Sequence, residues 1–400
     1  MTDAAHVGSQ RHEVFQKPFK VVPQIEEWDT PDNYRSTYMG DGELPDKIKV
    51  WRIQNVKEDG QTSNSVATRS WNFDEFPDAE ILTPGFNTGK EYGAAGVSRH
   101  GNFLQWGFSG APSKMTDAGK NFFLNCISYI KKFEGKAPLV RTTSAKSRRF
   151  YRMYAPKIDQ ERYTSYFSDD LVEKYKDNPA GLVKHFEDNF EFIYCQGSKF
   201  LIDEELKSLG LDTNRKVSTL QQLIAMLSND SQDDTAQQLL DRYTDQSFDT
   251  AEEWQKWLDE NRDRLFFSDT GGYKFFAVPK GYLDKPSGAS KKLDVSILYV
   301  GQTDSERAQS FLSLLSESFA QVETCAQDNF NEEQTANFDV VFLDYARARQ
   351  ARGQRAASGQ RGARGGQLQL SENYSQPTVV FGSFGMRICL QWLSPQTSYT

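Results

Sequence analysis

Residues 293–345 read LDVSILYVGQTDSERAQSFLSLLSESFAQVETCAQDNFNEEQTANFDVVFLDY. VSILYV is a nearly continuous apolar run closed by Gly301, the pattern of a strand covered on both faces in a parallel sheet. SERAQSFLSLLSESF repeats its apolar residues at intervals of three and four, through Phe311, Leu314, Leu315 and Phe319, which predicts a helix with one apolar face. QVETC and VVFLDY supply two more strands. Strand, helix, strand, strand at this spacing predicts a doubly wound α/β layer.

Beyond Tyr345 the stretch ARARQARGQRAASGQRGARGG, residues 346–366, has arginines at 347, 349, 352, 355, 361 and 364 and no apolar side chain larger than alanine. It reads as an insertion loop over 347–366, because the aromatic residues that stack bases in a nucleic-acid site are missing from it. PTVVFGSFG, 377–385, then predicts a strand entering a glycine turn, with MRICLQWL as the start of a helix. Before residue 293, LDKPSGASKK at 283–292 has the composition of a linker.

Residues 150–285 read as a helical module. LVEKYKDN, AGLVKHFEDNFEFIY, STLQQLIAMLS, DTAQQLLDRYT and TAEEWQKWLDENRDRLF are its predicted helices. Trp254, Trp257 and Leu258 form an apolar stripe, Thr250 and Glu253 a capping box, and FFSDTGGYKFFAV at 266–278 a short hairpin. Residues 1–140 read as mixed: strands at KIKVWRIQ, AEILTPG and NFLQWGFSG, then a helix after Thr116 with Phe122, Phe123, Cys126, Ile127 and Ile130 on one face. Alternation along NFLQWGFSG puts Phe103 and Gln105 on one face and Leu104 and Trp106 on the other, so a strand buried on both sides is predicted.

The chain's 400 residues suffice for two or three domains, and 38% hydrophobic with 26% charged residues is the balance of a folding chain. A net charge of -8 argues against a general nucleic-acid or anionic-membrane coat. Nucleic acid is not expected as a partner. The four cysteines, Cys126, Cys195, Cys325 and Cys389, stand singly, so neither a zinc site nor a disulfide framework is predicted. The first twenty residues lack an apolar h-region and no run reaches the roughly 20 apolar residues of a membrane span. As written the chain reads as cytoplasmic, and as exported if its amino terminus is truncated.

HEVFQKPFKV at 12–21 and SRHGNFLQWGFSGAPSKMTDAGKNFFLNCISYI at 98–130 resemble parts of the ThuA-like (trehalose utilisation) branch of the class I glutamine amidotransferase superfamily, in which a late strand leads through an acidic loop to a last helix containing Leu-Asn. Residues 293–385 resemble the beginning of the same fold. The resemblance implies a flavodoxin-like parallel sheet flanked by helices, with residues 293–400 as its first half and 1–140 as its second. The order is inverted, by permutation or by fragmentation of a repeated protein. The helical module resembles accessory regions that accompany such domains in bacteria.

The family's elbow, Gly-x-Cys-x-Gly, is matched by Phe381-Gly382-Ser383-Phe384-Gly385, so serine replaces the nucleophilic cysteine, and where the family carries Gly-His after its late strand this chain has Gly107, Phe108 and Ser109. The bland reading of residues 381–385 is a tight turn that merely uses Gly382 and Gly385. His100, beside Arg99 in VSRHGNF, reads as a group for a carboxylate or sugar hydroxyl, or as a polar residue closing a turn. His12, between Arg11 and Glu13, suits either a family site or an exposed salt-linked turn, and His185 a solvated helix face. Ser109, Gly110 and Ala111 should let a ligand approach the backbone. The resulting expectation is a degenerate, non-catalytic domain binding a carbohydrate-type ligand or a protein partner through Arg99, His100, Ser109, Gly110, Gly382 and Ser383. The alternative is a hydrolase or isomerase of a sugar derivative using Ser383 or His100. Neither metal nor cofactor motif is present, so none is expected.

Overall fold

The apolar runs pair across the whole length of the chain. A computed structural model describes residues 1–8, 10–38, 40, 42–57, 60, 63, 65–71, 73–157, 164–227, 233–283, 293–345, 368, 370–371 and 373–382. Its strands are β1 (Ala4–His6), β2 (Ile25–Asp29), β3 (Lys47–Arg52), β4 (Ala79–Pro84), β5 (Ala95–His100), β6 (Phe103–Trp106), β7 (Ile193–Gln196), β8 (Lys199–Ile202), β9 (Leu265–Ser268), β10 (Lys274–Ala277), β11 (Ser296–Gly301), β12 (Gln321–Ala326), β13 (Val340–Asp344) and β14 (Thr378–Phe381). The described residues fall into two units, one drawn from residues 1–70, 79–138 and 293–382, the other from 71–78 and 139–283.

The first unit is mixed α/β, built on a seven-stranded, mostly parallel sheet in the order β12-β11-β13-β14-β6-β5-β4. The step from β14 to β6 joins residues far apart in sequence: the two strands run parallel, with Thr378 opposite Phe103 and Phe381 opposite Trp106. The half-sheet from the end of the chain is thereby closed by strands from its beginning, as the otherwise unpaired apolar edge of VVF required. All four residues of β6 are buried, as the alternation predicted. The outer strand β12 is mostly exposed and polar along its length, which suits an edge.

KIKVWRIQ forms β3 but joins a separate antiparallel sheet in the order β1-β3-β2 rather than the large sheet. Lys47–Val50 alternates exposed and buried residues, the mark of a strand covered on one face only. Helices Asp117–Ile130 and Glu306–Ser318 pack on one face of the large sheet through Phe123, whose ring meets those of Trp106, Phe311, Phe342 and Phe381 at 4.9–5.9 Å. Fully burying one such phenylalanine stabilises the fold by roughly 2–3 kcal/mol. Thr116 caps the first of these helices by accepting from the Gly119 amide at 3.0 Å. Cys126 lies inside this core, whereas Cys195 and Cys325 are half-buried free thiols.

The second unit is helical with two hairpins. The expected hairpin at 266–278 is β9–β10, and Thr250 caps helix Ala251–Asn261 while its hydroxyl donates to Glu253 at 3.0 Å. The hairpin β7–β8 was not expected. AGLVKHFEDNFEFIY was read as one helix, but the helix ends at Asp188, Phe190–Phe192 makes one 3-10 turn, and Ile193 starts a strand. Aromatic and β-branched FEFIY favours extended backbone, and Gly197 at φ +62° supplies the turn. The loop 347–366, the helix after residue 385, Ser383 and Cys389 lie outside the described residues.

Glu75 gives the second unit a pH dependence. Its carboxylate accepts from the Ser268 hydroxyl at 3.0 Å, the Thr270 amide at 3.1 Å and the Thr270 hydroxyl at 3.0 Å. Burial, then the neighbouring Asp269 carboxylate, push its pKa up to about 8, from 4.5. Between these values the folded unit keeps a proton that the unfolded chain has released, so stability falls as pH rises through that window. Glu75→Gln is expected to flatten the decline, leaving the variant more stable than the wild type at pH 9 by about 2 kcal/mol. Melting curves at pH 5, 7 and 9 check this, and parallel curves for the two proteins would refute it.

Candidate functional site

Strand β11 has β12 on one side and β13 on the other, so the strand order changes direction between β11 and β13, and in open α/β sheets ligands bind at the carboxyl ends of strands at such a point. Asp344 closes β13 there and is buried. It accepts from the Tyr299 hydroxyl at 2.8 Å and, through both oxygens, from Nε of Arg307 at 2.8 and 3.0 Å. Burial, then the Asp344 carboxylate, raise the pKa of the Tyr299 phenol, so it remains a proton donor at neutral pH. Arg307 lies in the first turn of Glu306–Ser318, where Ser305 caps the helix by accepting from the Ala308 amide at 3.1 Å. Nη1 of Arg307 donates to the Ser109 carbonyl at 2.5 Å, and its guanidinium lies over Phe311 at 4.9 Å and Phe381 at 5.6 Å. One arginine therefore ties together elements at the ends of β13, β14 and β6.

Around Ser109 the groups are hydroxyls. Ser65 donates to Ser109 at 3.1 Å, Ser63 donates to Ser65 at 2.8 Å and lies 3.4 Å from the Ser109 hydroxyl, and the Ser109 amide donates to Ser65 at 2.9 Å. Gln54 joins this cluster to Asp3, donating to the Ser65 hydroxyl at 3.1 Å and to Asp3 at 2.9 Å.

Gly110 packs against Gln54. Its amide donates to Gln54 at 2.7 Å, and a Cβ on it would lie 2.8 Å from the same Gln54 oxygen. The small residue admits Gln54. After β14, Gly382 sits at φ +53°, and among the described residues no heavy atom lies within 4 Å of a built Cβ. The turn expected at 383–385 lies outside the described residues.

Arg99 and His100 belong to the other end of the sheet. Strand β5 runs antiparallel to β6, so its last residues pair with the first of β6, His100 opposite Phe103. From Phe103 to Ser109 is roughly 20 Å of extended chain. The expected set Arg99, His100, Ser109, Gly110, Gly382 and Ser383 is therefore divided. Arg99 donates from Nε to Glu80 at 2.5 Å and from Nη1 to the Gly101 carbonyl at 3.0 Å, and covers the Phe133 ring at 3.8 Å. Against the upward push of burial, the His12 hydrogen bond, the Arg99 charge and the Tyr129 hydroxyl hold Glu80 at about 2. His12 pairs with Glu80 at 3.3 Å while its Nδ1 accepts from the Val14 amide at 3.3 Å, so it caps a turn rather than standing in the open. His100 is wholly buried.

His6 is enclosed by Tyr34, Phe86 and Tyr92, with Nε2 2.9 Å from the Tyr34 hydroxyl, and burial lowers its pKa to about 4. His185, half-buried in the second unit, stacks on Tyr175 rather than standing free in solvent.

The sequence reading missed Tyr299, Arg307 and Asp344. An aspartate ending an apolar strand, with an arginine in the first helical turn after the preceding strand, was the available signal. Among the described residues, no three His, Cys, Asp or Glu side chains converge as metal ligands, and no helix is long and apolar enough to cross a membrane. Compared with protein-family models, curated proteins and solved structures, the chain matches none of them.

Proposed function

We propose that the first unit is a permuted, flavodoxin-like, ThuA-like domain that binds a carbohydrate-type ligand at the carboxyl ends of its parallel strands and performs no catalysis. The strand order supports the class. Numbered along a chain that starts at β11, the strands β12-β11-β13-β14-β6 run 2-1-3-4-5, the flavodoxin-like order, with its switch point between β11 and β13. The observation that carries the binding reading is a chain of polar groups at the carboxyl ends of the strands: the Asp344 carboxylate holds the Arg307 guanidinium, which reaches the Ser109 carbonyl, and the Ser109 hydroxyl meets those of Ser63 and Ser65. Sugars are recognised through such mixtures of charged and hydroxyl partners.

The non-catalytic part rests on the histidines. His100 and His12 belong to the amino-terminal end of the sheet, and His6 packs with Phe86, just past the end of β4. Three strand spacings, roughly 14 Å, separate β4 from β14. A serine nucleophile needs an imidazole within hydrogen-bond reach, and a base at such distances does not serve.

A thermal-shift screen of the full chain against neutral sugars, polyols and sugar acids tests the reading. A binder at one hundred times its Kd should raise the melting temperature by several degrees. Ser109→Ala should shrink that shift while changing the unliganded protein by about 1 kcal/mol or less. A panel in which nothing stabilises the wild type removes the carbohydrate reading. Product formed from a sugar derivative during incubation would replace it with hydrolase or isomerase activity.

A further inference from the structure

Arg307 is held at three places and open at a fourth. Asp344 fixes Nε, the Ser109 carbonyl fixes Nη1, and Phe311 and Phe381 lie against the guanidinium, while Nη2 has no acceptor among the described residues. About a quarter of the side chain's surface remains accessible. A guanidinium fixed in this way has lost its rotamer freedom before any ligand arrives, and the edge formed by Nη1 and Nη2 matches the two oxygens of a carboxylate. Asp344 balances the charge from behind. The edge is therefore not flooded by positive potential that would draw any anion, and neighbouring groups can contribute to selection. Those neighbours are the hydroxyls of Ser109, whose own carbonyl Arg307 holds, and of Ser63 and Ser65 beyond it.

Resting on the carbohydrate reading of this site, we infer that its ligand is an acidic sugar or polyol, with its carboxylate on the Nη1 and Nη2 edge of Arg307 and its hydroxyls on the serine cluster. Arg307 then sets specificity, and the serines serve acidic and neutral ligands alike.

The test is calorimetric titration of the full chain at fixed ionic strength with D-gluconate and D-glucuronate, with D-glucitol and D-glucose as their neutral counterparts, and with acetate and inorganic phosphate as anions alone. D-gluconate should bind at least about tenfold tighter than D-glucitol, the effect of a hydrogen bond to a charged group. Arg307→Gln should erase that preference, Arg307→Lys should keep only part of it, and Ser63→Ala should weaken both ligands by a similar factor. Equal affinities for D-gluconate and D-glucitol in the wild type overturn the acidic-ligand inference while leaving the carbohydrate reading in place. Silence from all four sugars and polyols overturns both. Acetate or phosphate binding as tightly as D-gluconate overturns the inference in favour of a plain anion site. A preference that survives in a folded Arg307→Gln protein assigns the carboxylate to another group and likewise overturns it. Should Arg307→Gln fail to fold, the wild-type ratio and Arg307→Lys still decide.

Discussion

Arg148→Met is expected to destabilise the second unit by about 3–5 kcal/mol, the cost of removing one partner from a buried ion pair. Arg148 opens helix Arg148–Tyr154, where its own amide donates to Asp269 at 2.8 Å. Its side chain also pairs with Asp269 through Nη1, donates from Nε to the Phe190 carbonyl at 3.1 Å, and reaches the Ile193 carbonyl at 2.6 Å and the Asn214 side chain through Nη2. Asn214 lies 3.2 Å from the Tyr243 hydroxyl, which donates to Asp203 at 2.5 Å, and Arg242 donates to the same Asp203 oxygen at 2.7 Å. Helix starts, hairpin and loop in this unit thus meet on one guanidinium. Methionine keeps much of the volume but leaves Asp269 uncompensated near Glu75, a second carboxyl group.

Against a typical domain stability of roughly 5–15 kcal/mol, such a loss removes a large part of the total. Hydrogen exchange of peptides from 139–283, in the full chain under increasing urea, measures it. The double variant Arg148→Met with Asp269→Asn should lose less than the two single losses combined, because the stranded charge is gone. A loss below about 1 kcal/mol for Arg148→Met alone would mean that the network contributes no more than a surface pair.

The parallel layer was legible because strands buried on both faces leave continuous apolar runs, and VSILYV and VVFLD are such runs. That the ends of the chain share a sheet is explained by an apolar edge that has to be covered. The hairpin β7–β8 was not legible, since FEFIY continues a helical pattern and only aromatic and β-branched content marks the change. Nor was the division of the candidate site. Arg99 and His100 precede β6 by only a few residues, yet a turn at Gly101 reverses the chain, so nearness in sequence placed at one end of the sheet what belongs to the other. Asp344 and Arg307, in contrast, come from separate elements, and Arg307 links Asp344 to the Ser109 carbonyl only because β14 joins β13 and β6 in one sheet. Strand order creates that meeting, and strand order is a tertiary property.

Gly107→Ala is expected to cost about 3 kcal/mol or more, at the upper end of overpacking effects, and to disturb the candidate site as well. Gly107 follows β6 and is paired on both sides, donating to the Gly96 carbonyl at 2.9 Å and accepting from the Val66 amide at 2.8 Å. A built Cβ would lie 2.2 Å from the Val66 carbonyl oxygen and 2.5 Å from that of Gly96. Both are backbone atoms within the pairing, so neither can turn aside as a flexible side chain would. The strand's exit must shift, and two residues later it carries the Ser109 carbonyl that holds Arg307 and the hydroxyl that meets Ser65. Ligand affinity should therefore fall together with stability. Gly89→Ala is the control: nothing lies within 4 Å of its built Cβ, and by restricting the unfolded chain it should leave the protein unchanged or more stable by up to about 1 kcal/mol. Urea denaturation of both variants, followed by titration of the folded protein with whichever sugar or sugar acid stabilises the wild type, separates the two effects. A Gly107→Ala protein as stable as Gly89→Ala would mean that the strands yield at this crossing, and the close approach of Val66 and Gly96 would then not be a constraint on the fold.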